Sequence, residues 1–546
     1  MANPKPDSRS PSRFAGLWLA YAGAVAVFLA ICAQFYLPGK GFTYLVMFGG
    51  KESARYIPEL KRVSHYEAED SHGYDAQYYA QIAMHPWLSS RSIKAAVDSL
   101  PYRARRILFC WTAYGLAFGD PARALHIYAV QNIVCWLALA ALLLRWFPAT
   151  NLENFLRWLG VMFSFGLCFS VRGSLVDGPS LLLIAIGVAL AEKGRPWWSA
   201  AVLGVAGLGK ETNILAGSAL APPEPKDGES RWKPWMIAAA RGALVLLPLA
   251  LWLLVLRVWL GSDGDAGMRN FDWPFAAYFQ KWRDTLEQLR DEGTGSVAQW
   301  SLLMLVTLTV QWLFFALRPR WEETWWRIGL SYSVLMIFLG DAVWEGYPGA
   351  ASRVLLPMAL AFNVLVPRGR AWWAVLLLGN LTLFFVGDTL KPPGSISFEL
   401  SGPRELTIAR SGAQQVEARF DDKEWFLPER SRFDYWRWSR GTANVTFHNA
   451  HPFPVKVDVT FELKSNDTRN LKILHGTQVI WEGATTRLLN GVAIPAVELP
   501  PGDTTWRFAT DHDARFPSNG DPRKLAFSLR NLEIKVLGKA EPPPKK

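Results

Sequence analysis

Cysteine is scarce in this chain of 546 residues, and its placement excludes one class of protein. The four cysteines, Cys32, Cys110, Cys135 and Cys168, all fall within apolar runs. A small secreted scaffold held by disulfides needs paired cysteines in its exposed portions. No disulfide framework is predicted, because buried cysteines of this kind commonly behave as small hydrophobic side chains.

Charged residues are also few, at 19% of the chain, and the net charge is +11. These averages are ordinary for a soluble enzyme, but they conceal long apolar runs. About 20 apolar residues are needed to cross a hydrocarbon core roughly 30 Å thick. Beyond a first run at 14–37, apolar runs lie at 106–119, 124–144, 155–171, 175–191, 197–222, 236–260, 298–317, 328–343, 351–366 and 371–387. They predict roughly ten to twelve transmembrane helices, since a backbone in lipid must satisfy its own hydrogen bonds.

The first apolar run follows a basic leader, residues 1–13, which contains Lys5, Arg9 and Arg13. A cleavable signal peptide has an apolar core of only about 7–15 residues. The run at 14–37 is longer, so we expect an uncleaved signal-anchor with its leader in the cytoplasm.

Basic residues in the short loops predict the orientation in the membrane, because such loops are retained in the cytoplasm. The basic loops are the leader, 226–233, 318–327 and 368–370. This places the first long loop, 38–103, and everything after about 390 on the extracytoplasmic side of a plasma or inner membrane. The basic residues between 145 and 195 do not fit a simple alternation, so either 106–119 or 197–222 is expected to be broken or re-entrant.

The chain changes character after residue 394. Residues 395–540 contain short stretches of alternating polarity, at 397–400, 444–448, 455–463 and 525–529, separated by turn signals. This pattern predicts an antiparallel β-sandwich. The predicted fold is therefore an α-helical polytopic membrane domain over 14–390, a soluble β-sandwich over 395–540 and a disordered tail at 541–546.

The densest polar cluster of the predicted outer loop lies at 65–83. If the segment is helical, Asp75, Tyr78, Tyr79 and Ile82 share one face. The alternative is an amphipathic helix on the membrane surface that Asp75 merely caps.

A cationic cluster follows at the start of the second apolar run, with Arg103, Arg105 and Arg106. Arginines at a hydrocarbon boundary snorkel or bind lipid head groups in many proteins. Their guanidinium groups also pair bidentately with phosphate. An acidic loop beside a cationic membrane edge is the arrangement needed to act on a lipid-linked phosphate.

Two further charged breaks interrupt apolar runs, and either is also consistent with an ordinary interfacial turn. One contains Glu345, Tyr347 and Arg353, and the other contains Arg172 and Asp177. We expect the first of them at the outer end of a late span.

Residues 204–210 match the first seven positions of a phosphate-binding P-loop. Position 211 is Glu where Ser or Thr ligates magnesium, and no strand is predicted before the loop, so ATP binding is rejected. Lys210 and Glu211 remain a charged pair within an apolar run, where such residues are costly and usually functional.

Together these motifs resemble the GT-C superfamily of multi-spanning glycosyltransferases. Residues 73–83 are similar to the Tyr-Asp-Gly-Gln-x-Tyr-Tyr-x-Ile-Ala pattern of bacterial members and to the His-x-Asp-x-x-Tyr loop of GPI mannosyltransferases. Residues 102–108 are similar to the Tyr-Arg-Tyr-x-x-Leu-Leu motif of the family. Shorter likenesses occur at 172–177, 210–212 and 353–357, so that the resemblance covers about residues 14–390.

The resemblance implies an inverting transfer of sugar from a polyprenyl-phosphate donor, with Asp75 as general base. Glu69 and Asp70 are alternative carboxylates, because many relatives have paired acids in this loop. The implied ligands of the donor phosphate are Arg103, Arg105, Arg106, Lys210, Tyr347 and Arg353. The implied substrate-binding residues are Tyr74, Tyr78, Tyr79, Asp177, Glu211 and Glu345.

The expected partners are a polyprenyl-phosphate-linked sugar, a glycan, lipid or protein acceptor, and membrane lipids; nucleic acid is not expected. No cofactor is certain, and a divalent cation, Mg²⁺ or Mn²⁺, stays open because the acidic loop matches no defined metal site. The alternatives are a polysaccharide or lipid transporter or flippase and an O-antigen-ligase-like enzyme. A transporter is expected to contain internal repeats, and none is found.

Overall fold

The structure, a computed structural model, describes residues 11–540 except 69–70, 221, 223–231, 262–266, 293–297, 347, 392–404, 407–415, 431–434 and 518–522. Most of the predicted leader, the stretch 397–400 and the predicted tail 541–546 lie outside the described residues.

The chain divides into two compact units. The helical unit comprises Met1–Glu287 and Val297–Pro392, and the β unit comprises Gln288–Ser296 and Pro393–Lys546.

The helices are, in chain order, α1 (Pro11–Ala33), α2 (Pro58–Lys61), α3 (Ala76–Met84), α4 (Arg91–Ala96), α5 (Leu100–Arg103), α6 (Leu108–Leu116), α7 (Pro121–Leu143), α8 (Leu152–Met162), α9 (Phe165–Arg172), α10 (Asp177–Glu192), α11 (Pro196–Gly207), α12 (Lys233–Leu260), α13 (Ala276–Glu292), α14 (Ala298–Leu317), α15 (Thr324–Ile337), α16 (Asp341–Trp344), α17 (Ala351–Val354), α18 (Leu356–Leu365), α19 (Trp373–Leu378) and α20 (Val386–Thr389). Segments of 3-10 helix lie at Thr43–Val46, Gly50–Arg55, Ala104–Arg106, Glu211–Ala219, Met268–Asn270, Arg370–Trp372 and Leu381–Phe385. Two short parallel strands, β1 (Phe48–Gly49) and β2 (Glu67–Ala68), pair within the first loop.

Over the described part of the chain, four helices are long and apolar enough to cross a membrane, at Gly16–Ala33, Pro121–Leu143, Lys233–Leu260 and Ala298–Leu317. Two bent pairs, α8 with α9 and the pair Arg370–Leu378 and Leu381–Thr389, raise the number to as many as six if each pair is one span. These apolar helices identify a membrane protein.

One of the runs at 106–119 and 197–222 was expected to be broken or re-entrant, and neither forms a single long α-helix. The run at 106–119 contains only the nine residues of α6. The run at 197–222 ends its α-helix at Gly207 and continues as 3-10 helix from Glu211. The interruption brings Lys210 and Glu211 out of a regular helix.

The core of the helical unit contains stacked aromatic rings whose polar atoms are satisfied. Phe28 of α1 stacks on Trp136 of α7 with ring centroids 3.7 Å apart. The Trp136 indole donates to the Met162 carbonyl (2.9 Å), and the Trp158 indole donates to the Ala140 carbonyl (3.0 Å). The indoles of Trp136 and Trp158 therefore pack in the interior without the cost of an unpaired N–H.

Helix α3 is buried on nearly all sides and packs against α6 and α7. The Gln81 Oε1 atom accepts a hydrogen bond from the Ile57 backbone N–H (3.0 Å), and the Gln77 Oε1 atom accepts one from Gly49 N–H (3.2 Å). The alternative of an amphipathic helix on the membrane surface is therefore wrong, because the polar side chains of α3 bind the loop that surrounds it.

The β unit is built from antiparallel strands. They are β3 (Glu405–Leu406), β4 (Val416–Phe420), β5 (Glu429–Arg430), β6 (Tyr435–Trp438), β7 (Ala443–Asn449), β8 (Val455–Ser465), β9 (Arg469–His475), β10 (Gln478–Thr485), β11 (Asn490–Leu499), β12 (Gly502–Thr510) and β13 (Phe527–Lys539). One sheet has the order β10-β9-β12-β7-β4-β3, and the other has the order β11-β8-β13-β6-β5.

The two sheets share one hydrophobic core. Side chains of β8 alternate between buried and more exposed positions along its whole length, as a strand with one core-facing side requires. Phe508 of β12 contacts Phe461 of β8 (5.9 Å) and Phe527 of β13 (6.1 Å) between ring centroids, so rings from the two sheets interlock. The predicted antiparallel β-sandwich is confirmed.

Candidate functional site

A cavity of about 630 Å³ lies within the helical unit. Its polar wall contains Tyr74, Asp75, Tyr79, Tyr102, Arg105, Arg106, Asp177, Lys210, Glu211, Asn270, Glu345 and Arg353. Its apolar wall includes Phe165, Phe169, Leu175, Leu335 and Val354. The fold thus brings together predicted residues from five separate stretches of the sequence.

A tight turn at Gly73 positions Asp75. Gly73 has φ +74°, and a Cβ atom there would lie 2.5 Å from Gln77 Oε1 and 2.6 Å from Gly49 N. The backbone N–H of Tyr74 donates to the Met47 carbonyl (3.0 Å). Only glycine allows this close approach together with a left-handed backbone, so the turn fixes where α3 begins.

Asp75 occupies the N-cap position of α3, but its side chain makes no capping hydrogen bond. Its Oδ1 atom instead lies 3.0 Å from Arg103 Nη2. The Asp75 side chain is 37% exposed and lines the cavity, so one side of the carboxylate is accessible to a ligand.

Arg103 is held beside Asp75 rather than in the cavity wall. Its Nε and Nη2 atoms donate to the two carboxylate oxygens of Asp98 (3.0 and 2.7 Å), and its guanidinium lies over the Tyr78 ring (5.1 Å). Burial opposes the charged form, but the hydrogen bonds that Arg103 donates to Asp98 and the charge of Asp75 outweigh it, so the pKa of Arg103 is raised. Arg103 is therefore a permanent cation that orients Asp75. Tyr78 and Arg103 are not among the cavity-lining residues.

Asp177 is shared by two cations deep in the cavity. Its Oδ1 atom lies 2.5 Å from Lys210 Nζ, and its Oδ2 atom lies 3.3 Å from Arg353 Nη1. The Asp177 side chain is only 5% exposed. Arg353 Nη2 also donates to the Tyr74 hydroxyl (3.0 Å). One carboxylate neutralises only one of these two cations.

Arg106 organises the neighbouring part of the wall. Its Nε atom donates to Glu211 Oε2 (2.9 Å), its Nη1 atom to the Tyr79 hydroxyl (3.0 Å) and its Nη2 atom to the Tyr102 hydroxyl (3.2 Å). The Arg105 guanidinium lies over the Tyr102 ring at 5.5 Å. Among the charged residues that line the cavity, the cations Lys210 and Arg353 are buried against a single buried carboxylate, Asp177, which favours an anionic ligand.

Glu345 differs from these residues because it is exposed. It pairs with Arg269 (2.6 Å), and both side chains are largely open to solvent. Such a pair contributes little to stability. Glu345 therefore lies at the rim of the cavity, whereas Asp177 and Glu211 lie within it.

Tyr74 and Tyr79 remain protonated hydroxyl groups. Burial raises the pKa of Tyr74, and the nearby charge of Arg353 offsets this only in part. Burial likewise raises the pKa of Tyr79 against the effect of Arg106. Each hydroxyl that accepts a bond from an arginine keeps its own proton to donate to a ligand.

Three predicted site residues, Glu69, Asp70 and Tyr347, lie outside the described residues. Among the residues that are described, no group of three or more His, Cys, Asp or Glu side chains is arranged to hold a metal ion.

Two polar residues that line the cavity, Tyr102 and Asn270, were not among the site residues predicted from the sequence. Tyr102 was noticed only as part of a motif, yet its hydroxyl accepts hydrogen bonds from Arg106 and from the Asn270 amide (3.0 Å). Its position directly before Arg103 was a usable signal. Asn270 ends the short 3-10 helix Met268–Asn270, where no motif was recognised, so no sequence signal identified it.

Comparison with solved structures gives a weak similarity. No protein-family model matches the chain, and no curated protein matches it. The solved structure of the arabinosyltransferase EmbB from Mycobacterium smegmatis is similar over 98% of this chain and 66% of that chain, with 10% sequence identity and a TM-score of 0.25. This chain thus spans less than two thirds of the EmbB chain. A similarity this low establishes neither a shared activity nor a shared site.

Proposed function

We propose that this chain is an inverting GT-C-type glycosyltransferase that transfers a sugar from a polyprenyl-phosphate donor to an acceptor hydroxyl at the extracytoplasmic face. One observation carries the proposal: an accessible carboxylate, Asp75, lines the same cavity as a buried excess of cations. Those are the two groups that such a transfer needs at opposite ends of the reacting bond.

The donor phosphate is assigned to Lys210, Arg353, Arg105 and Arg106. Because Asp177 balances only one of Lys210 and Arg353, the buried cluster gains from an added anion. A phosphate that leaves beside these cations needs no proton, since they stabilise the charge that develops on its oxygen.

The acceptor end is assigned to Asp75. As the acceptor oxygen attacks the anomeric carbon, the carbon–oxygen bond to the phosphate breaks, and the electron pair stays with the phosphate. The proton of the acceptor hydroxyl passes to the Asp75 carboxylate. Arg103, fixed by Asp98, holds that carboxylate in place.

The apolar wall suits the lipid part of the donor. Phe165, Phe169, Leu335 and Val354 line the cavity that holds the cations, in a chain with membrane-spanning helices. An isoprenoid next to a phosphate presents this combination of an apolar chain and an anionic head.

The test is Asp75→Asn, which keeps the shape of the side chain and removes the base. Transfer of sugar to a supplied acceptor is expected to fall by about 10²–10⁴-fold. Asp120→Asn is the matched control, because Asp120 also pairs with an arginine, Arg123, at similar exposure but does not line the cavity, and asparagine keeps its capping of α7. The control is expected to retain most of the transfer. Undiminished transfer by Asp75→Asn would exclude Asp75 as the base.

A second measurement tests the donor directly. Mass spectrometry of lipids that copurify with the protein is expected to detect a polyprenyl phosphate in the unaltered chain and less of it in Arg353→Met. A sugar-free lipid cargo, equally retained by both proteins, would favour the transporter alternative.

A further inference from the structure

An exposed aromatic side chain, Phe271, lines the cavity, and a second follows it two residues later in the chain. Phe271 is 57% exposed, and Trp273 is 81% exposed. We call residues 271–273 the aromatic ledge. Large exposed apolar side chains beside a cavity commonly mark a binding surface.

The ledge is held rigidly against the end of α15. Gly340 N–H donates to the Asn270 carbonyl (2.8 Å), and Asp272 N–H donates to the Phe338 carbonyl (3.0 Å). The Phe275 N–H donates to the Ile337 carbonyl (2.7 Å). These bonds on both sides fix the backbone of the ledge, so its rings are presented by an ordered segment.

Gly340 permits this close packing. A Cβ atom at position 340 would lie 2.4 Å from the Arg269 carbonyl oxygen and 2.9 Å from Phe271 N. Any side chain there would push the ledge away from the cavity. The backbone is thus shaped to bring Phe271 to the rim.

Polar groups surround the rings. Asp272 is exposed between them, and the exposed ion pair of Arg269 and Glu345 lies at the same rim. A sugar ring has one face of C–H groups, which stacks on an aromatic ring, and an edge of hydroxyls, which bind carboxylates and guanidinium groups. Exposed rings next to charged hydrogen-bonding groups match both parts.

We propose that the aromatic ledge binds the sugars of a glycan acceptor and directs its terminal hydroxyl into the cavity. The inference rests on the proposed function for the role of the bound glycan, and it narrows the acceptor from glycan, lipid or protein to glycan. The alternative is that the ledge anchors the protein among lipid head groups, as an interfacial tryptophan such as Trp235 at the start of α12 does. The ledge differs from Trp235 because Phe271 lines the cavity and the exposed carboxylate of Asp272 separates its two aromatic residues, which disfavours anionic head groups.

The test measures glycan binding without donor or transfer. Saturation-transfer NMR is recorded on the detergent-solubilised full chain with unbranched hexasaccharides of arabinan, galactan, glucan and mannan. At least one is expected to bind, and Trp273→Ala and Phe271→Ala are each expected to weaken that binding about tenfold or more, the size of a lost stacking contact. Trp235→Ala is the control, because Trp235 is similarly exposed but belongs to α12, which contributes no residue to the cavity lining.

The outcomes separate this inference from the proposed function. If glycan binding depends on the ledge but the protein has no transferase activity, the proposed function is contradicted. The assignment of the ledge as a glycan-binding site then still holds. The proposal that the ledge binds a glycan would be overturned if none of the four glycans binds. It would also be overturned if Trp235→Ala and Trp273→Ala weaken glycan binding equally. A further outcome would identify an interfacial anchor and overturn the proposal. In that outcome, Trp273→Ala binds glycans as the unaltered chain does, and brominated lipids quench the protein's tryptophan fluorescence less in the variant than in the unaltered chain.

Discussion

At the scale of single residues, Asp177 determines the electrostatics of the cavity. It is the shared partner of Lys210, 33 positions later in the sequence, and Arg353, 176 positions later. Removing this carboxylate leaves two buried cations without their common anion. Removing one cation leaves a balanced pair.

This asymmetry predicts an unequal cost of substitution. Asp177→Asn is expected to reduce the free energy of unfolding by about 3–5 kcal/mol, the usual cost of leaving buried charge uncompensated. Lys210→Met is expected to cost less, because Arg353 still pairs with Asp177. The double variant is expected to be more stable than Asp177→Asn alone, since it contains only one unpaired cation.

The measurement is the midpoint of thermal unfolding in detergent micelles for the three variants, with exposed Lys193→Met as a control. If Lys210→Met proves as destabilising as Asp177→Asn, the cations are not competing for one carboxylate.

At the scale of elements, the loop between α1 and α6 is a folded part of the site. The turn at Gly73, the pairing of β1 with β2 and the burial of α3 together set the direction of Asp75. The site therefore depends on backbone geometry some distance from the reacting carboxylate.

Substitutions at two glycines of this loop distinguish the effect of a strained backbone from the effect of a steric clash. Gly73 and Gly39 have the same φ of +74°, but a Cβ atom at Gly39 would meet nothing within 4 Å. Gly39→Ala is expected to cost about 1–2 kcal/mol of stability from its left-handed backbone and to leave transfer unchanged. Gly73→Ala is expected to cost more and to abolish most transfer, because the turn must move and Asp75 with it.

Both glycine variants are compared by thermal unfolding and by initial rates of sugar transfer. Equal rates for the two variants would show that the close approach at Gly73 does not position the base.

At the scale of the whole molecule, the two units have separate hydrophobic cores. Phe28 and Trp136 belong to the core of the helical unit, and Trp425 and Phe508 belong to that of the β unit. Because each unit buries its own apolar surface, each has its own source of stability.

Separate cores predict separate responses to a core substitution. Trp425 is fully buried and contacts Phe420 and Phe527, so Trp425→Ala is expected to destabilise the β unit by about 3–5 kcal/mol. Hydrogen exchange followed by mass spectrometry is expected to show loss of protection in β7, β8 and β12 and unchanged protection in α7. Exposed Phe516→Ala is the control, and equal loss of protection in α7 would contradict independent cores.

The sequence by itself determined the class of the molecule. Apolar runs such as 236–260 predicted α12, and alternation at 455–463 predicted β8, because helix and strand periodicity is local and appears directly in the order of residues. It also identified Asp75, Lys210 and Arg353 as unusual, since charged residues beside apolar runs are costly without a partner.

Only the tertiary structure decided which of these residues meet. A pattern records which side of an element is apolar, but it does not record what packs there, so the burial of α3 and the sharing of Asp177 could not be predicted. The position of Phe271 and Trp273 likewise depends on backbone bonds to a segment more than sixty residues later in the sequence. Sequence order therefore determined the elements and the chemistry available, and long-range packing determined the site.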